Sequence, residues 1–267
     1  MGRGASANDR QYGNSGKLAA RARLHQLHSR DEAPWFPWVA ARADLRPGDH
    51  VLDIGCGPGW FWAGAADALP GGLHLTLGDL SAGMVEEALS RVRALDRGWE
   101  IGGKVADIAD LPFPDGTFDA VIAMHMLYHV PDQHKAIAEA LRVLKPGGRL
   151  VVTTNGLDNL RELYALGAAA FGVSGRDPGA ELFGFGEAEA LLRAAFGNIE
   201  IHLYPGSLHI TDPEHVFEAQ TSYPPGEDAP ESQLAALRAA IAAAFERGGG
   251  VLDVAKETGA FISRKPA

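Results

Sequence analysis

The chain has 267 residues, 24 Lys and Arg against 34 Asp and Glu, and one cysteine. This length supports one large domain, or one domain with an added cap, around a full hydrophobic core. The single cysteine excludes an intrachain disulfide framework and a Cys-rich zinc site. The net charge of −10 argues against a partner held through clustered phosphates, so no nucleic acid is expected.

No run reaches the ~18 consecutive apolar residues of a membrane span. The N-terminal MGRGASANDRQYGNSG lacks the apolar centre of a signal peptide. The expected location is the cytoplasm, with no membrane partner. Gly2 and Ser6 match a short myristoylation pattern, which a polar tail also produces by chance.

Residues 1–15 read as a loose polar tail. Apolar spacing at Leu18, Ala19, Ala22 and Leu27 predicts a helix over 18–27. A second helix over 34–45 carries Trp35, Phe36 and Trp38, and Arg46-Pro47-Gly48-Asp49 breaks it. The rhythm then changes to strand 51–54, helix 58–69, strand 73–77, helix 81–95, a weak strand 103–106, strand 118–123, helix 133–144 and strand 149–154. Strands alternating with helices require right-handed crossovers and a parallel sheet covered on both faces. The runs Val121-Ile122-Ala123 and Leu150-Val151-Val152 are apolar at successive positions, as such a sheet demands.

Beyond it, helices are expected over 160–171 and 187–196, the latter closed by Gly197-Asn198, then a strand over 199–203. Helices 213–221 and 231–246 flank the loop Tyr223-Pro224-Pro225-Gly226, and two short strands follow at 251–254 and 260–264. The expected organisation is an N-terminal helical cap segment (1–47), a cofactor-binding Rossmann-like core (48–156), and the remaining sheet strands with an inserted helical substrate cap (157–267).

Asp53-Ile54-Gly55-Cys56-Gly57-Pro58-Gly59 lies between the first strand and the first helix of the core. Glycines at alternating positions remove side chains where a ligand approaches the backbone. Pro58 suits a first helical turn, and the loop is expected to offer free N–H groups and a helix N-terminus to an anionic group. The same spacing also serves a tight turn with no ligand. Trp60 stands where a dinucleotide fingerprint needs its third glycine, which comes one residue early as Gly59, and no Lys-Ser/Thr follows for a P-loop.

Asp79 ends the second strand, where a carboxylate can accept both ribose hydroxyls of a nucleoside. Ser81 behind it can cap the next helix. Asp107 follows the third strand, where its carboxylate can accept an exocyclic amino group while the N–H of Ile108 meets a ring nitrogen. Each is also an ordinary loop residue by itself; in order, behind the glycine loop, they spell an adenosine site.

The segments VLDIGCGPG (51–59), GDLSAGMVEEA (78–88), ADIADLPFPDGTFDAVIAMHMLYHVPD (106–132) and ALRVLKPGGRLVVTTNG (140–156) together resemble class I S-adenosylmethionine-dependent methyltransferases. The nearest group is similar to ubiquinone/menaquinone-biosynthesis and other small-molecule methyltransferases. The resemblance implies a seven-stranded, mostly parallel α/β sheet with a final antiparallel strand. It implies S-adenosyl-L-methionine as cofactor and S-adenosyl-L-homocysteine as product. Gly55, Gly57 and Gly59 would line the methionine end, Asp53 and the carbonyl of Met124 would hold its amino group, and Asp79 the ribose. Asp107 and Ile108 would take the adenine, with Leu80 on its face and Tyr12 closing over the cofactor.

Methyl transfer needs an in-line approach and dry surroundings. It needs a base only if the acceptor loses a proton. His125 and His129 follow the fourth strand and share a face if that piece is helical; His125 is the candidate base and His129 a turn support. His202, His209 and His215 are too dispersed to read as a metal site. The absence of an Asn/Asp-Pro-Pro-Tyr/Phe tetrapeptide after the fourth strand argues against DNA-base methylation, leaving a small-molecule acceptor. Trp35, Phe36, Trp38, Phe183 and Phe185 suit either an apolar pocket or a cap core. Two rivals stay open: a non-catalytic cofactor- or partner-binding protein on this fold, and a nucleotide-dependent oxidoreductase.

Overall fold

The computed structural model describes residues 16–267, with side chains from residue 22 onward. Tyr12 and the Gly2/Ser6 pattern lie outside the described residues. The described chain divides into two compact units, each built from separate stretches of sequence.

The sheet unit comprises Ala33–Asn155, Leu182–Leu203 and Thr258–Ala267. Its strands are β1 (His50–Ile54), β2 (His74–Asp79), β3 (Glu100–Val105), β4 (Phe118–Met124), β5 (Leu144–Asn155), β6 (Glu200–Tyr204, whose last residue belongs to the other unit) and a C-terminal strand, Thr258–Arg264. Counting the two short strands of the other unit in between, that last strand is β9. The seven strands lie in the order β3-β2-β1-β4-β5-β9-β6. β1 runs parallel to both β2 and β4, pairing Leu52 with Thr76 and with Val121. β9 is antiparallel to β5, with Val152 opposite Phe261. The chain reverses its direction of travel across the sheet between β1 and β4, and open α/β sheets bind ligands at that break.

Val51, Leu52 and Ile54 of β1 and Ala120–Ala123 of β4 are fully or almost fully buried, which explains why these strands are apolar without alternation. The connecting helices include α2 (Trp35–Ala43), α3 (Trp60–Ala65), α4 (Ala82–Arg93) and α5 (Gln133–Val143). α5 buries Ala136, Ile137, Ala140 and Val143, one helical stripe, and starts where Asp132 accepts from the Lys135 N–H at 2.9 Å. The expected helix 58–69 is shorter. α3 begins at Trp60 because Gly59 sits in the left-handed region at φ 76°, so Pro58 lies outside the first turn, and 66–68 tighten into a 3₁₀ turn.

The helical unit comprises the chain up to Glu32, Gly156–Glu181 and Tyr204–Glu257. It holds α1 (Gly16–His28), α6 (Arg161–Phe171), α9 (Pro213–Gln220), α10 (Glu231–Arg247) and an antiparallel pair, β7 (Ser207–Ile210) with β8 (Leu252–Ala255). Two further helices lie near its borders, α7 (Pro178–Phe183) and, in the sheet unit, α8 (Phe185–Phe196). Leu24, Leu163, Leu166, Leu208, Val216 and Ile241 are among the residues that form its own apolar core.

The observed division departs from chain order. Residues 33–47 go with the sheet because α2 buries Trp38, Val39, Ala40 and Ala43, and buried Arg149 of β5 donates to the carbonyls of Ala43 and Asp44 at 2.5 and 2.6 Å. Residues 156–181 go with the helical unit because Leu163 and Leu166 belong to its core.

Candidate functional site

The C-terminal ends of β1, β2, β3 and β4 carry most of the residues singled out from the sequence. Asp53, near the end of β1, is 3% exposed. Its Oδ2 accepts from the indole Nε1–H of fully buried Trp62 at 2.7 Å. Among the described residues nothing donates to Oδ1. Burial, outweighing the Trp62 hydrogen bond and reinforced by the nearby charge of Asp79, pushes the carboxyl pKa up to about 7. A buried carboxylate with one oxygen unmatched calls for a cationic donor, because an unpaired buried charge is costly.

The glycine loop does not offer the free N–H groups expected of an anion cradle. Gly55 and Cys56 both donate to the Gly78 carbonyl at 2.8 and 2.9 Å, and Gly59 donates to the Cys56 carbonyl at 3.1 Å. Gly57 donates to Asp79 Oδ2 at 3.0 Å. These four N–H groups are spent on the turn itself, so they are not available to an anionic group as expected. The glycines differ in purpose. A Cβ on Gly55 would meet the Met126 side chain at 2.7 Å, and one on Gly59 would meet the α4 backbone at Ala88 at 3.1 Å, whereas Gly57 faces open space at φ 51°. Gly57 is therefore the position where a ligand can approach the backbone; Gly59 serves helix packing. Cys56 is buried, and burial together with the charges of Asp53 and Asp79 raises its thiol pKa far above the ordinary value, so it is not a nucleophile.

Asp79 ties the loop to the next turn, its Oδ1 accepting from Ser81 N–H at 2.9 Å. Ser81 in turn caps α4, accepting from Met84 N–H at 3.4 Å. A carboxylate has about four lone-pair sites, so two remain for a diol. Leu80 and Val105 are 64% and 51% exposed at the ends of β2 and β3, and Asp79 and Val105 are register partners. Two large apolar side chains left open at one sheet edge suit the face of a flat ring. Asp107 is exposed and its Oδ1 accepts from Ala109 N–H at 2.8 Å, leaving Oδ2 without a protein partner among the described residues. The Ile108 side chain is 3% exposed in the sheet-unit core, so only its backbone is available to a ligand.

Met124 ends β4 in register with Thr153. His125 follows it in the left-handed region at φ 48°, its N–H shared between the Thr153 carbonyl at 3.0 Å and Thr153 Oγ1 at 3.2 Å. A non-glycine residue held there stores backbone strain, as functional residues often do. Residues 127–129 form one 3₁₀ turn, and His125 lies outside it, so His125 and His129 do not share a helical face. His129 is exposed, its ring 4.5 Å from that of Tyr128. Among the described residues no group of three or more His, Cys, Asp or Glu side chains can hold a metal.

The five aromatics divide sharply. Phe183 is fully buried, Phe185 packs on Phe261, Phe36 sits edge-on to Phe61, and Trp38 is 7% exposed. Trp35 alone of these lies at the site, stacked on Trp38 at 5.5 Å and 5.6 Å from the His125 ring. Sequence reasoning missed Trp62, Val105 and Met126. Their types and positions read as core, and nothing in the sequence marks an indole N–H as the partner of an aspartate nine residues earlier.

Comparison with known proteins places this edge in context. A family model described as "Methyltransferase domain" matches residues 52–152. The chain is 39% identical over 117 residues to 27-O-demethylrifamycin SV methyltransferase of Amycolatopsis mediterranei, covering 43% of this chain and 41% of that protein. It is 38% identical over 118 residues to demethylmenaquinone methyltransferase of Symbiobacterium thermophilum, covering 44% and 47%. The chain thus spans less than half the length of these curated relatives. In fold it is similar to phosphoethanolamine N-methyltransferase 2 of Haemonchus contortus in complex with S-adenosyl-L-methionine, with a TM-score of 0.62, 20% identity, and coverage of 100% of this chain and 61% of that one. The residues present fit such a cofactor: an oxygen of the Asp53 carboxyl without a protein donor for an ammonium, lone pairs on Asp79 for a diol, and exposed Leu80 and Val105 for a flat ring.

Proposed function

We propose that this chain, whose residues 52–152 form a class I S-adenosylmethionine-dependent methyltransferase domain, methylates a small-molecule acceptor in the cytoplasm. The reading is carried by Asp53, a buried carboxylate at the sheet's switch point with one oxygen lacking a protein donor. When bound, the cofactor supplies an electrophilic methyl on a sulfonium, displaced in line by the acceptor. Asp53 takes the ammonium, Asp79 the ribose diol, and Asp107 with the Ile108 N–H the adenine edge, while Leu80 and Val105 cover its faces. The Met124 carbonyl adds a second acceptor for the ammonium. These groups fix the reacting methyl relative to His125, and orientation of this kind is a large part of catalysis.

His125 takes a proton from an acceptor that must lose one, with Trp35 as an apolar wall against water. The relatives are named for different acceptors, and the family model covers only the stretch with the cofactor motifs, residues 52–152. The helical unit, outside the matched residues, is therefore the part we assign to acceptor choice. No helix among the described residues is long and apolar enough to cross a membrane.

Titration calorimetry with S-adenosyl-L-methionine, S-adenosyl-L-homocysteine and NAD tests the cofactor, and binding of NAD alone would end this reading. With an acceptor in hand, His125→Ala is expected to lower kcat by roughly 10²–10⁴. Full activity in both His125→Ala and His125→Asn would reduce the residue to pocket wall.

A further inference from the structure

The indole of Trp62 is fully enclosed, yet it spends its one donor on a buried carboxylate and not on a carbonyl. Its neighbours hold it there. Its ring lies 5.1 Å from that of Phe61 and 5.6 Å from that of Trp99, edge-to-face in both cases. Trp99 is itself fixed by Nε1–H donation to the Pro70 carbonyl at 2.8 Å. These contacts hold the indole in the orientation in which it binds Asp53 Oδ2 and leaves the other carboxyl oxygen without a donor among the described residues.

We propose that Trp62 is a positioning residue for cofactor capture, locking the Asp53 carboxylate so that Oδ1 is the oxygen presented to the cofactor's ammonium. The proposal rests on the cofactor reading above. It adds a proton linkage. The charged and titratable groups facing Asp53 are Asp79 at the end of β2 and the Cys56 thiol of the glycine loop; α3 presents Trp62, and β4 presents Ile122 in register. Burial, with the charge of Asp79 adding to it, disfavours ionisation, so in the ligand-free protein Asp53 holds its proton up to about pH 7. An ammonium pairs only with the ionised form. Binding below that pH expels the proton, and affinity rises with pH until Asp53 is ionised. Trp62 donates the one hydrogen bond that favours ionisation.

The test is calorimetry with S-adenosyl-L-homocysteine across pH on the full chain. In Trp62→Phe its affinity at neutral pH is expected to fall about 10- to 100-fold, the cost of a hydrogen bond to a charged group, with the pH midpoint moved upward. 5′-Methylthioadenosine, which keeps the nucleoside and lacks the amino-acid end, should bind wild type and variant alike. Trp99→Phe, a packing control, should lower Tm and leave the midpoint in place. An unmoved midpoint in Trp62→Phe, or equal losses for the two ligands, overturns the proposal. Failure of both ligands to bind wild type overturns the cofactor reading and this proposal with it. If Trp62→Phe does not fold, the indole ¹⁵N–¹H signals of the wild type decide. One of the five indoles should titrate near pH 7 without ligand and become pH-independent with S-adenosyl-L-homocysteine bound. Five flat indole signals would overturn it.

Discussion

Each unit buries a carboxylate, and the two are treated in opposite ways. In the helical unit Asp31 is paired with Lys256 at 2.6 Å, with side chains 7% and 6% exposed. Lys256 also donates to Ser29 Oγ at 2.6 Å, and Asp31 Oδ1 accepts from Ser207 N–H at 3.2 Å. Burial would raise the Asp31 pKa, but the hydrogen bonds from Lys256 and Tyr204 outweigh it and hold the carboxyl below the usual range. In the sheet unit Asp53 has an indole and no cation, and its pKa goes up to about 7. A buried charge matched by the protein is a structural clamp. A buried charge left half-matched costs stability and marks where a ligand completes the pairing. Lys256 and Asp31 lie within two residues of two points where the chain passes between units, at 257/258 and 32/33.

The largest effect expected from breaking this contrast is in the clamp. Lys256→Ala leaves Asp31 buried without its cation and should cost about 3–5 kcal/mol, read by urea unfolding. Hydrogen exchange should locate the loss in 204–257 and not in the sheet strands. Asp53→Asn should act with the opposite sign on the ligand-free protein. Because the folded-state pKa of Asp53 is raised, the folded chain keeps a proton that the unfolded chain releases, and stability drains away as pH climbs from about 4 through about 7. The amide removes that loss, so the variant should be more stable than wild type above pH 7, by at most about 4 kcal/mol, while losing affinity for S-adenosyl-L-homocysteine. A variant no more stable than wild type at pH 8 would show that Asp53 is not held protonated.

Asp79→Ala sharpens the comparison within the site. It removes a carboxylate that should accept two ribose hydroxyls, and cofactor affinity is expected to fall by roughly 30- to 1000-fold, or about 2–4 kcal/mol, in calorimetry. Asp79→Asn, which keeps one acceptor, should lose less. The smallest effect concerns the helical unit's histidines. His28 is buried, with its Nε2 2.9 Å from Nδ1 of His215, and burial followed by the charge of His215 lowers its pKa. Its contribution is present above the ordinary histidine value of 6.5 and is lost as pH falls through its lowered pKa. Acidification should therefore loosen α1 and α9 by about 1 kcal/mol while Asp53 favours the sheet unit. His28→Gln should blunt the first response and leave the second.

Much of the sheet was legible because its signals are local and periodic. Apolar runs at 51–54, 118–123 and 150–152, spaced by amphipathic helices, leave few alternatives. The helical unit was legible as a set of helices and one short strand, expected at 251–254 and found as β8. β7 alternates over just four residues, Ser207–Ile210, and gains meaning only from its partner β8, forty residues on. The edges of prediction failed where a left-handed residue ended an element: Gly59 started α3 two residues late, and His125 broke the spacing that placed His129 on its face.

The sequence by itself determined the order of the chemistry: a glycine loop, then Asp79, then Asp107, each at a strand end. Chain order and strand period fix that much, because parallel strands must all deliver their C-terminal ends to one edge. Tertiary structure alone decided how those groups are used. It spent the loop's N–H groups on the turn, gave Asp79 to Gly57 and Ser81, buried Trp38 and Phe183 of the five candidate pocket aromatics, and brought Trp62 onto Asp53. Hydrogen-bond partners and burial are set by which surfaces meet, and no spacing along a single chain carries that information.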